Sequence, residues 1–267
     1  VGRRSEAEFY VELFRRVPKE SFAAISVDAN VARHATEAVV LHLRFLADLG
    51  LAPLVLLGLF ETGEALEHGA RIQRRLVRAN VPATLFGPGA GDGLAAQVTA
   101  AARGGSLPVV VLGPADGAAA EDRFQRLSGL LAALHTRRLL FLHRPGGLRQ
   151  KGALLPIVNL GTEADALLSA KELSRKERAI LVQSRRLIAD PGLPRLTVSI
   201  TSPLNLLREL FTVKGAGTLL RRGSTILVRN GLAEVDVPRL RALLDGAFGR
   251  ATGDGFFERP IDRIYLE

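Results

Sequence analysis

The chain has 267 residues, 24% charged and 47% hydrophobic, with 27 glycines and no Cys, Met or Trp. That length buries a real core in one large domain or two small ones. The missing cysteines exclude disulfides, thiolate catalysis, iron-sulfur clusters and Cys-zinc sites. The net charge of +9 invites a nucleic-acid reading. Yet the arginines are interleaved with acidic residues and aromatic platforms are scarce, so a solvated surface and no nucleic-acid partner are expected.

In chain order, Ser5 with Glu8 has the capping-box spacing. It opens a short helix whose apolar stripe (Phe9, Leu13, Phe14, with Tyr10 beside it) ends before Pro18. Residues 1–20 therefore form an arm in need of a partner surface, such as another subunit. Phe22 to Val27 reads as a buried strand, Thr36 to Gly50 as a helix and Ala52 to Leu59 as a second strand. A helix over Glu64 to Asn80, a short strand over Ala83 to Phe86, a Gly-rich loop at 87–93 and a helix over Leu94 to Arg103 follow. The loop has the composition of a phosphate cradle but lacks the Gly-Lys-Ser/Thr ending, which favours a plain connection.

Pro108 to Leu112 is a continuous apolar strand of the kind covered on both faces of a parallel sheet. Asp116-Gly117 reads as a turn. Helix Ala118 to Leu134, strand Arg138 to His143, helix Lys171 to Ile188, strand Leu196 to Ile200 and helix Pro203 to Phe211 continue the alternation. A Gly-x-Gly turn at 214–218, strands at Leu219-Leu220 and Ser224 to Val228, and a helix over Val237 to Phe248 complete it. The alternation predicts an α/β three-layer sandwich with a mostly parallel central sheet. The longest apolar stretch, Leu49 to Phe60, is far short of the ~20 residues that span a bilayer, so no membrane partner is expected. His34, His42, His68 and His135 show no metal-ligand spacing with each other, and the expected compartment is the cytoplasm. The missing initiator and the opening at Val1 are expected of a fragment.

The most informative stretch is Glu209-Leu210-Phe211-Thr212-x-x-Gly215-x-Gly217-Thr218-Leu219, then Arg221-Arg222-Gly223. Gly-x-Gly suits a place where backbone closely approaches a ligand, or simply a tight connection. This stretch resembles the signature of the amino-acid kinase domain shared by N-acetylglutamate kinases and N-acetylglutamate synthases. Further matches are Ser21-Phe22, Pro53 to Gly58, Phe141-Leu142 with Gly146-Gly147-Leu148, Ser174 to Arg178, and Ala247 to Arg250. In order and extent, from about Val17 to Leu266, the chain is similar to the kinase-like domain of vertebrate-type synthases and of bifunctional synthase/kinases. The resemblance implies a kinase-like domain over 21–260 in the amino-acid kinase fold. It also implies that residues 261–267 lead into a GNAT-type acetyltransferase domain using acetyl-CoA, absent from this chain.

Active members end their first strand in Lys-x-Gly-Gly, where this chain has Ser26-Val27-Asp28-Ala29, and their second strand opens into a Gly-Gly-Gly loop, where it has Gly58-Leu59-Phe60. His143-Arg144 stand where an orienting aspartate would follow a later strand, and Lys176 falls near a second catalytic lysine. His143 with Arg144 reads either as an anion site or as a structural strand end. Each lost electrostatic donor costs roughly 10²–10³ in rate. The resemblance thus implies no catalytic residue, metal or cofactor in this chain. It implies instead a regulatory pseudokinase domain, homo-oligomeric, that binds L-arginine through Tyr10, Phe14, Glu209, Lys214, Gly215 and Gly217. The parent activity would be acetyl-CoA:L-glutamate N-acetyltransferase of arginine biosynthesis. Leu204 stands where many arginine-sensitive relatives carry His, and Glu209 could instead pair with a surface arginine. The competing expectation is an active acetylglutamate kinase using ATP.

Overall fold

The computed structural model describes residues 12, 22–60, 63–88, 90, 93–113, 120–223 and 235–248. The helix expected within 5–17, the turn at Asp116-Gly117 and the strand expected over 224–228 lie outside them, apart from Glu12, which is helical. The chain divides into two compact units, 1–223 and 224–267.

The first unit is built on an eight-stranded sheet of order β3-β4-β2-β1-β5-β9-β10-β8. Its strands are β1 Ala24–Val27, β2 Leu54–Leu57, β3 Ala83–Phe86, β4 Leu107–Val111, β5 Arg138–Leu142, β8 Ile157–Asn159, β9 Thr197–Thr201 and β10 Thr218–Arg221. Every pair is parallel except β9 with β10. A small hairpin, β6 Arg149–Gln150 with β7 Ala153–Leu154, stands apart.

The central strands are apolar without alternation because both faces are covered: β1, β2 and β4 are buried at every position. One face packs on α1 (Ala29–His34), α2 (Thr36–Asp48), α3 (Ala65–Arg78) and α8 (Leu206–Phe211) through Val31, Leu43, Ile72 and Leu210. The other packs on α5 (Ala120–Ala133), α6 (Ala164–Ser169) and α7 (Arg175–Ala189) through Leu127, Leu131, Leu167 and Leu181. Helix α4 (Leu94–Arg103) contributes Val98 to one core and Ala102 to the other. The three-layer sandwich expected from the alternation is the observed fold.

Strand β3, helix α4 and the helix over Val237–Phe248 have the predicted bounds; most others agree to within a few residues. The expected helix over 203–211 is split, with a 3₁₀ turn at Pro203–Asn205 before α8. Helices α1 and α6, strand β8 and the hairpin were not predicted. Helix α1 follows β1 directly because Asp28 caps it, accepting from the Val31 amide at 2.6 Å. Among the described residues no helix is long and apolar enough to cross a membrane. In the second unit, α9 (Val237–Phe248) starts at Asp236, whose carboxylate accepts from the Arg239 amide.

Helix α7 begins with a reciprocal capping box: Ser174 accepts from the Glu177 amide while Glu177 accepts from the Ser174 amide. Removing the hydroxyl with Ser174→Ala is expected to lower stability by about 1 kcal/mol, read by urea denaturation.

Candidate functional site

In open parallel sheets, ligands bind beyond the carboxyl ends of the strands where the strand order reverses. Here β1 lies between β2 and β5, so that crevice lies at Asp28, Gly58 and His143. It is filled. Asp28 is buried, and its second carboxylate oxygen lies 2.9 Å from Lys176 Nζ and 3.6 Å from His143 Nδ1. The other edge of His143 faces Glu177, Nε2 to Oε1 3.8 Å. Burial pushes the Asp28 pKa up, but hydrogen bonds from His143, Lys176 and the Val31 amide, with the charge of Lys176, outweigh it. The carboxyl is held below its ordinary value and stays ionised.

Phe60 closes the same crevice. Its ring lies 5.3 Å from Phe124 and 5.8 Å from Phe141, with Lys176 Nζ 6.0 Å from its centroid. Between Ser26, Asp28, Gly58, Phe60 and Lys176 a cavity of about 10 Å³ is left, roughly one water's worth and none for a phosphate. His143 sits between two carboxylates, which favours the structural alternative over the anion site. Arg144 reaches Asn30 at 3.4 Å.

A roomier site lies at the other end of β5 and β9. Thr212 ends α8, and Glu209 turns back to accept from the Ala216 amide at 2.6 Å. Gly215 has φ +61°, and a Cβ there would lie 2.7 Å from a Glu209 oxygen. A Cβ on Gly217 would lie 2.9 Å from the Ile200 carbonyl carbon and nearer still to its oxygen, so only glycine lets this turn lie against β9. Behind the turn is a cavity of about 490 Å³ whose lining includes Glu209, Lys214, Gly215, Gly217 and Arg138. That volume suits a small metabolite.

Four of the six expected ligand residues are thus brought together. The other two, Tyr10 and Phe14, lie outside the described residues, and Leu204 is 78% exposed on the 3₁₀ turn. Among the described residues Glu209 forms no ion pair; its partner is the Ala216 amide, so the surface-arginine alternative is not what the structure shows.

Sequence reasoning missed Arg138. It is half-buried at the first position of an otherwise apolar strand and donates to the Leu210 carbonyl at the end of α8. A charged residue heading Leu-Leu-Phe-Leu was the available signal. Cation and carboxylate therefore line one cavity, along with the hydroxyl-bearing Thr197 and Ser199. Among the described residues no group of three or more His, Asp or Glu could hold a metal.

Asp28 makes stability pH-dependent in a definite direction. Its folded pKa is below its unfolded value, so its contribution is present above about pH 4 and is lost as pH falls through the folded pKa. Asp28→Asn keeps the cap but loses the ion pair. It is expected to cost about 1–3 kcal/mol at pH 7, less than for a fully buried pair because Lys176 is part-exposed. The gap from wild type should shrink below pH 4 in urea titrations.

No family model matches the chain. It is 29% identical to an acetylglutamate kinase of Xanthomonas campestris pv. campestris over 98% of its own length and 73% of that protein. It is 30% identical to human mitochondrial N-acetylglutamate synthase over 91% of its own length, spanning 52% of that protein. Among solved structures, N-acetylglutamate synthase from Neisseria gonorrhoeae complexed with coenzyme A and L-arginine superposes with a TM-score of 0.63 at 17% identity, over 95% of this chain and 73% of that one. UMP kinase from Bacillus anthracis superposes at 0.56 with 11% identity, over 78% of this chain and 98% of that one.

Proposed function

We propose that this chain, which has the amino-acid kinase fold and is similar to acetylglutamate kinases and N-acetylglutamate synthases, is a regulatory pseudokinase domain of an N-acetylglutamate synthase. In this reading the chain transfers no phosphate and binds L-arginine in the Glu209 cavity. The acetyl transfer from acetyl-CoA to glutamate belongs to a further domain of the parent protein. The coenzyme A and L-arginine of the Neisseria gonorrhoeae synthase complex accord with such a parent.

The observation that carries the first half is the Asp28–Lys176 pair across the crevice. Phosphoryl transfer depends on cations and bare backbone aimed at the transferring group. Here Lys176 is spent on an internal carboxylate, and the end of α1 that could face phosphate is occupied by the same carboxylate. An incoming triphosphate would have to displace an ionised aspartate from two partners and move Phe60.

The second half rests on opposite charges lining one cavity. A guanidinium favours a carboxylate with planar, paired hydrogen bonds, and Glu209 has one oxygen not used by Ala216. Carbonyls of the 214–217 turn can accept its remaining donors. Arg138 offers a cation to the α-carboxylate of the same ligand, so a zwitterionic amino acid with a cationic side chain matches the lining at both ends. Tyr10 and Phe14 would cover its aliphatic stem. The domain limits of the sequence reading (1–20 arm, 21–260 kinase-like, 261–267 linker), a homo-oligomer and a cytoplasmic location are parts of the same proposal; the human and mouse relatives are mitochondrial.

Titration calorimetry with L-arginine is expected to give saturable binding. Glu209→Gln and Arg138→Gln should each weaken it by about 10- to 100-fold, the range for hydrogen bonds to charged groups. Absence of saturable heat at millimolar ligand overturns the arginine reading. A coupled ADP-release assay with Mg-ATP and N-acetyl-L-glutamate is expected to stay at background, and turnover would favour the active-kinase alternative.

A further inference from the structure

The strand starts that feed the Glu209 cavity have a second pocket behind them, made by different residues. Helix α5 ends with the His135 amide donating to Ala132 and the Thr136 amide to Leu131, with His135 in the left-handed region at φ +53°. This is the paired closure that usually employs glycine. From here the chain enters β5 through Arg137, while the 192–196 segment enters β9 beside it, the Thr197 amide donating to the Arg137 carbonyl at 2.8 Å. Between the two entrances lies a cavity of about 210 Å³, whose lining includes His135, Thr136, Arg137, Gly192 and Arg195.

Three features of this cavity point the same way. Arg137 and Arg195 are exposed and make no side-chain ion pair or hydrogen bond among the described residues, and no carboxylate lines the cavity. Arg33, Arg71 and Arg185, by contrast, are spent locally on Glu64, Glu67 and Asp165. The nearby Asp190 is engaged by the Ser128 hydroxyl and the Gly192 amide. Finally, the Thr136 hydroxyl, in a residue 3% exposed, has no hydrogen-bond partner. Buried polar atoms without partners are rare in folded proteins. The C-terminal carbonyls of α5 would repel an anion, but those of Leu131 and Ala132 are already taken by the Thr136 and His135 amides.

We infer that this pocket between the starts of β5 and β9 is a binding site for a small oxyanion, a phosphate or a carboxylate. Arg137 and Arg195 supply paired charged donors and the exposed His135 side chain a further donor, while the enclosed Thr136 hydroxyl joins them by rotating toward the pocket. The volume holds inorganic phosphate or a small polycarboxylate. The site does not depend on the arginine reading, since it shares no lining residue with the Glu209 cavity. It is nevertheless one residue away along two strands: Arg137 precedes Arg138, and Leu196 precedes Thr197. An anion seated here is thus positioned to bias the other cavity, and any such coupling must be reciprocal.

The test uses the whole chain, titrated by calorimetry with inorganic phosphate and, in a second arm, with citrate, against sodium chloride at matched ionic strength. Saturation by either anion is expected, and the arm that saturates distinguishes phosphate from carboxylate. Arg137→Gln and Arg195→Gln should each weaken binding about tenfold, while Glu209→Gln should not change it. Thr136→Val provides a readout that a purely structural role would not give. It should weaken anion binding several-fold while leaving the thermal midpoint of the free protein unchanged or raised, since it deletes an unpaired polar atom. If neither anion saturates, if chloride reproduces the effect, or if the glutamine variants bind as the parent does, the inference is wrong.

Discussion

The carboxylate of Asp28 governs this architecture. An ionised carboxylate taken out of water is destabilising by several kcal/mol unless other groups replace the lost hydration. At Asp28 the replacements come from three directions: the Val31 amide at the start of α1, Lys176 from α7, and His143 from the end of β5. One side chain therefore ties the first strand to helices on opposite faces of the sheet. In the proposed function the same tie fills the space that phosphoryl transfer would need. Phe60 completes it by filling with aromatic surface what the Asp28 pair leaves open.

The Glu209 end follows the opposite logic. There a carboxylate is held by a single backbone amide beside a cavity; glycine at 215 keeps a side chain out of its way, and glycine at 217 lets the turn lie against β9. Two acidic residues on the same sheet thus have contrasting roles. Asp28 is enclosed, with one oxygen on the Val31 amide and the other facing Lys176 and His143, and stabilises the fold. Glu209 has one oxygen not used by Ala216 at the cavity wall, and Arg138 gives the same cavity a second, opposite charge. The proposed division between a sealed end and a receptive end rests on this difference in enclosure, about 10 Å³ at Asp28 against about 490 Å³ at Glu209.

Much of the sandwich was legible because long elements carry their own periodicity. Leu94 to Arg103 and Ala83 to Phe86 could be bounded by their glycines and by the switch from period 3.6 to continuous apolar runs. The six-residue helices α1 and α6 and the two-residue strands of the hairpin are too short for a period to show. Helix α1 is held by the Asp28 cap and by burial of Val31 and Ala32 rather than by its length. At the sites, Asp28 stood out against the Lys-x-Gly-Gly of the family the chain resembles, but its pairing with Lys176 did not, because nothing in local spacing links the two. Arg138 escaped for a related reason: its partner, the Leu210 carbonyl, belongs to a helix far along the chain.

Strand β5 joins these ends, with Arg138 at its start in the open cavity and His143 just past its end against Asp28. Five strand residues span roughly 16 Å, and all but Arg138 are buried. A close-packed strand of this kind transmits displacement rather than absorbing it. At its far end, however, the motion meets a carboxylate held by three partners, so opening the crevice would require giving up a buried ion pair. In the proposed function a ligand in the Glu209 cavity acts on the 212–217 turn and α8, whose Leu206 and Leu210 belong to the core cluster on that face. In the proposed function the regulatory signal therefore leaves through the helices on that face, and the former kinase crevice serves as the fixed support against which they move.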